Sequence, residues 1–167
     1  MDSYCITPGP EHHAHLRRLV ASRWIVIGAM AVLVLISPGW LDIPLPQEPL
    51  FGILAVLAAL NGIVQWRMAG STTATPYELL SQLLIDLIAL SALVFFSGGA
   101  TNPLVSLLLP PVAIAALTLP GRLVFAVGSV AVIAYSVLMI YYLPLPMPDV
   151  TRATRLHLIG MWLTFAV

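Results

Sequence analysis

The chain contains no lysine. Its seven basic residues are all arginine, seven acidic residues balance them, and charged residues make up only 8% of 167. A soluble domain carries about 25% charged residues. With 60% hydrophobic residues, this chain cannot cover its surface with charge, so lipid must solvate most of it. No basic stripe exists to neutralise a nucleic acid backbone, which excludes nucleic acid as a partner. The one cysteine, Cys5, makes no internal disulfide and no four-ligand metal site. The start lacks the pattern of a signal peptide. There is no P-loop, no HExxH pair and no CxxC, and no nucleophile–base arrangement, so no residue is assigned a catalytic or metal-binding role.

What remains is apolar runs separated by short polar breaks. They predict an all-α integral membrane protein of six transmembrane helices, arranged as three antiparallel helical hairpins with short loops. The spans fall at about 19–40, 50–67, 78–97, 104–120, 122–143 and 155–167. Residues 1–15 read as a flexible cytoplasmic tail whose His12, His13 and His15 form no specific site. Residues 16–167 form one transmembrane domain. In the second span, Ala55/Ala59 and Ala58/Gly62 have the small-xxx-small spacing that permits close helix packing. The fourth run carries Pro110-Pro111 and covers only about 24 Å of a roughly 30 Å core. It reads as a kinked thin span or a re-entrant segment. The sixth reaches only about 18 Å, too short to cross, which predicts a truncated span in a fragment of a longer protein.

Arginine placement sets orientation. With alternating spans, Arg17, Arg18, Arg23, Arg67 and Arg122 share one side, and Arg152 and Arg155 the other. The N-terminus is therefore expected in the cytoplasm. The loop between spans three and four is then on the outer side.

That loop is where the chain departs from a plain hydrophobic run: Phe95-Phe96-Ser97-Gly98-Gly99-Ala100-Thr101-Asn102-Pro103-Leu104. Paired glycines permit positive φ and close approach to the main chain. Asn102-Pro103 reads as a cap and a first helical residue. The loop is expected to offer backbone N–H groups, one amide and two aromatic rings near the membrane surface. Geometry alone would also call for Gly and Pro here. Asp86 lies inside span three, where a carboxylate costs on the order of 2.5–3.5 kcal/mol. It is either a functional group or a packing residue facing Gln82, Asn61 or Gln65. His157, Phe95-Phe96 and Tyr141-Tyr142 fit the interfacial belt, and an aromatic pair could also sandwich a flat ring.

The loop resembles the Gly-Gly-x-x-Asn-Pro-Phe heptapeptide of the RegB/PrrB-type redox-sensing histidine kinases. Around it, Leu16-Arg17-Arg18 with Arg23-Trp24, Asp86, and Leu107-Leu108-Leu109-Pro110-Pro111 are similar to that family's first, third and fourth spans. The resemblance implies the membrane sensor domain of a two-component kinase. Oxidised, ubiquinone-like respiratory quinone would bind near the loop and lower autophosphorylation, and phosphate would pass to a response regulator. It implies a homodimer, and a cytoplasmic kinase domain that holds the phosphorylated His and binds ATP and is absent from this chain. Carried over, Gly98, Gly99, Asn102 and Pro103 match the heptapeptide. Leu104 stands where the family has Phe, which removes a stacking contact. Asp86, Phe95 and Phe96 are supporting candidates. Two other classes compete. One is a small transporter or channel using Asp86, and the other is a passive anchor or dimerisation module.

Overall fold

The computed structural model describes residues 9–40, 45–143 and Leu158. Every regular element among them is helical: α1 (Pro10–Trp40), α2 (Gln47–Ala69), α3 (Pro76–Phe96), α4 (Leu109–Thr118) and α5 (Gly121–Ile140). Two 3-10 helices, Gly99–Thr101 and Pro103–Leu108, connect α3 to α4. Helices α1, α2, α3 and α5 are long and apolar enough to cross a membrane. The all-α membrane architecture stands. The sixth span falls outside the described residues, apart from Leu158, which is helical and exposed.

Two expectations are corrected. The first concerns the tail. From Pro10 onward it is helix, and the residue before it is tied down. Gly9 N donates to Ala74 O at 3.1 Å, and Ala74 N to Gly9 O at 3.4 Å. Pro suits a helix start because its missing N–H would have no partner there. The bridge also puts the start of α1 and the α2–α3 loop on one side, as alternating spans require.

The second concerns the double proline. Pro110 and Pro111 do not kink a helix from its middle. They sit in the first turn of α4, where no preceding carbonyl awaits an N–H. The turns before them are 3-10. A 3-10 helix rises about 2.0 Å per residue against 1.5 Å for α. Residues 103–118 therefore cover about 27 Å, most of a hydrocarbon core.

Helix α3 is central. Its start is fixed by a capping box: Glu78 N donates to Thr75 Oγ1 at 3.2 Å, and Thr75 N donates to Glu78 Oε2 at 2.9 Å. One face, Leu79, Leu83, Leu87 and Val94, packs with Leu16 and Leu19 of α1 and with Ala115, Val127 and Leu138 of α4 and α5. Leu93 faces a second core, with Ile27 and Val34 of α1 and Leu50, Leu54 and Leu57 of α2. Large apolar side chains such as Leu117 (85% exposed) and Phe125 (77%) point outward, as lipid requires. Ala55 and Ala59 are exposed too, so that small-residue pair does not join helices among the described residues.

Candidate functional site

Two polar constructions lie at different depths in the bundle, one past the end of α3 and one midway along it. The first is the α3–α4 loop. Ser97 ends α3, its N–H donating to Val94 O at 3.1 Å and its hydroxyl to Leu93 O at 2.8 Å. Gly98 follows at φ 112° and Gly99 at φ 62°. Both lie in the left-handed region that glycine enters without steric penalty. A 3-10 turn then brings Asn102 back, with its N–H on Gly99 O at 3.0 Å. The Asn102 side chain closes the loop in two directions. Its Oδ1 accepts from Leu104 N at 2.9 Å, and its Nδ2 donates to both Ser97 O and Ser97 Oγ at 2.7 Å. Pro103 opens the next 3-10 helix.

The expected outward display of donors is not what this geometry shows. The Asn102 amide is engaged inside the loop, and Gly98 and Gly99 are buried. A Cβ built on Gly99 would fall onto Tyr142 Cβ and Cγ, with Cδ2 at 3.0 Å. The Tyr142 side chain thus lies against the glycine backbone. Beside it, Leu143 N donates to Phe95 O at 3.0 Å, which ties the end of α5 to the end of α3. Phe95 and Phe96 meet edge to face, with centroids 5.2 Å apart. They straddle the two cores, Phe95 packing with the larger and Phe96 with the smaller. Leu104 packs against the larger core as well.

The second construction surrounds Asp86. Its partner is Arg23 of α1, only 4% exposed. Arg23 Nε lies 2.7 Å from Asp86 Oδ1, and Nη2 donates to Oδ2 at 3.0 Å. The same guanidinium donates to Gln82 Oε1 at 2.9 Å, to Gln82 O at 3.1 Å and to Asn61 Oδ1 at 3.4 Å. Asn61 Nδ2 donates to Val20 O at 3.1 Å. Three helices are thus laced through one arginine. Gln82 and Asn61 do share Asp86's neighbourhood, as expected, but through Arg23. Gln65 is not in this layer; it accepts from Trp24 Nε1 at 2.9 Å. Loop and layer are separate, because Asp86 sits midway along α3 and the glycines follow its last turn.

Reading Arg23 as an interfacial cation missed its role. The signal was present in the spacing. Leu16, Leu19, Val20 and Ile27 are buried and mark one helical face, and Arg23 falls on it. Tyr142 gave no local sign, because its partner lies far away in sequence. His157 lies outside the described residues.

Residues 11–167 match the PilS-like transmembrane domain. The chain belongs to this family. The PilS-like domain here is also 28% identical, over 154 residues, to the sensor histidine kinase RegB of Cereibacter sphaeroides. The alignment covers 91% of this chain and 33% of that protein, so the chain spans about a third of the relative's length. The resemblance read from the loop and its flanks therefore stands at the level of a RegB-type membrane domain. No solved structure matches.

Proposed function

We propose that this PilS-like domain is the sensor part of a redox-responsive two-component histidine kinase, and that oxidised respiratory quinone acts on the 98–104 loop. The observation that carries the reading is the surface of Gly99, bare of side chain and already covered by the ring-bearing Tyr142. A flat quinone head is complementary to the same surface, with Phe95 and Phe96 close in sequence. An apolar groove of about 470 Å³ between α2 and α3, lined by Gly52, Ala89 and Ala92, offers room for an isoprenoid tail. Because Tyr142 covers Gly99, the head would compete with it. Displacing Tyr142 and Leu143 would free the end of α5 from Phe95.

Oxidised and reduced quinones differ in hydrogen bonding. Only such a difference in affinity can shift a conformational equilibrium. The shift would pass through α5 to a kinase portion acting as a homodimer, and from there by phosphotransfer to a response regulator.

The test is photoaffinity labelling of the purified protein with an azido-ubiquinone, competed by ubiquinone and by ubiquinol. The expected result is labelling near residues 95–104, competed better by ubiquinone and lost in the Gly99→Val, Asn102→Ala double variant. Equal labelling of wild type and variant removes the site assignment.

A further inference from the structure

A second cavity lies toward the start of α1, away from the loop. It is a slot of about 540 Å³ between the first half of α1 and the last turns of α2. His13, Arg17, Ala21 and Trp24 line it from α1, and Gln65 and Met68 from α2. On α1 these residues recur at helical spacing along one face, over about 16 Å. The Trp24–Gln65 hydrogen bond, 2.9 Å, closes one end. The slot is therefore graded. His13, Arg17 and Met68 stand at the outer end, and Val20 and Ala21 line the slot farther in, toward the Trp24–Gln65 bond.

Charge bookkeeping leaves three exposed arginines unpaired among the described residues, Arg17, Arg18 and Arg122, and of these only Arg17 lines the slot. Arg23 is paired with Asp86 and Arg67 with Glu78. Arg17 is exposed and has no ion-pair or hydrogen-bond partner among the described residues. His13 adds an independent sign, because its Nε2 is buried with no hydrogen-bond partner among the described residues. A buried nitrogen left without a partner is costly. A cation and an unmatched imidazole nitrogen in one slot ask for an anionic acceptor.

We infer that this slot binds an anionic phospholipid, its phosphate held by Arg17 and His13 and its acyl chain leaving sideways past the exposed Ala21. Basic pockets between transmembrane helices are suited to such head groups. A free phosphate ester satisfies the same cation but leaves the apolar half of the slot unfilled. Neither the quinone reading nor its test bears on this site.

Native mass spectrometry of the protein, released from neutral detergent with added lipid, reads the site directly. The expected result is one retained phosphatidylglycerol, bound at least about five-fold more tightly than phosphatidylcholine. That factor is roughly what one arginine contributes near an anionic surface. Arg17→Ala is expected to lose about that factor. His13→Ala should lose less, and Arg18→Ala, exposed and outside the slot, should change little. Ala21→Phe fills the slot without touching a charge and should also release the lipid, which keeps the test independent of charge deletion. Soluble glycerol 3-phosphate should not compete. Equal losses in Arg17→Ala and Arg18→Ala, equal retention of the two lipids, or competition by glycerol 3-phosphate would each overturn the assignment.

Discussion

The α3–α4 loop and the Arg23 layer are both held by polar hydrogen bonds, yet they are built on opposite plans. The loop is local: Ser97, Gly99, Asn102 and Leu104 satisfy one another within eight residues. The Arg23 layer is long-range, joining residues 38, 59 and 63 positions apart. A local polar turn can form at a membrane rim at little cost, because its groups find partners as the chain bends. A layer of charge inside a span has no partner until three helices have met. The first is therefore a shaped surface, and the second is a lock on helix association.

The contrast is broken most directly at Arg23. Arg23→Ala strands Asp86, Gln82 and Asn61 together. Removing one member of a buried pair costs about 3–5 kcal/mol, and that is the expected loss in unfolding by sodium dodecyl sulfate from mixed micelles. Arg23→Met combined with Asp86→Leu leaves no bare charge and should recover part of it. The side-chain oxygens of Gln82 and Asn61 still lack the donor that Arg23 supplied, so recovery stays incomplete. A loss near 1 kcal/mol for Arg23→Ala would put the layer on a par with a surface pair and end the comparison.

The same difference in range explains what was legible beforehand. Gly98-Gly99 and Asn102-Pro103 announce positive φ, a cap and a helix start because the cause lies in the residues themselves. The run of 78–97 is readable because its hydropathy is its structure. The Thr75–Glu78 capping box was equally local, and its spacing alone would have fixed the start of α3. Arg23 looked interfacial because five arginines together follow the positive-inside pattern. Only the buried stripe through Leu19, Val20 and Ile27 separates it from the rest. Nothing near Asn102 says that its amide turns inward, and nothing near Tyr142 says that it covers Gly99. The first is settled only when the loop has closed on itself, and the second depends on where α5 ends in space.

A middle-sized effect is expected at Gly99, where the local plan meets its one distant contact. Gly99→Ala places a side chain at φ 62°, which costs about 1–2 kcal/mol in the left-handed region. Its Cβ also collides with Tyr142, adding about 1–3 kcal/mol of overpacking. Tyr142→Gly in the Gly99→Ala background should restore the second part and leave the first. If it restores nothing, Tyr142 does not press on the loop, and the loop would be local throughout.

The smallest effect is expected at the Arg67–Glu78 pair, which joins α2 to α3 at the surface near the Arg23 layer. Arg67 is 63% exposed and Glu78 33%. Such pairs gain little from Coulomb attraction in water and lose side-chain freedom, so Arg67→Ala should cost no more than about 0.5 kcal/mol. Glu78→Ala should cost about twice as much, because the same carboxylate accepts from Thr75 N in the capping box and caps contribute about 1 kcal/mol. The difference between these two variants isolates the cap from the ion pair. Added salt should erase the Arg67 effect and spare the Glu78 one, since screening acts on exposed charge and not on a helix-capping hydrogen bond. An Arg67→Ala loss that matches Arg23→Ala would mean that position along the span, and not burial among three helices, gives the arginine its strength.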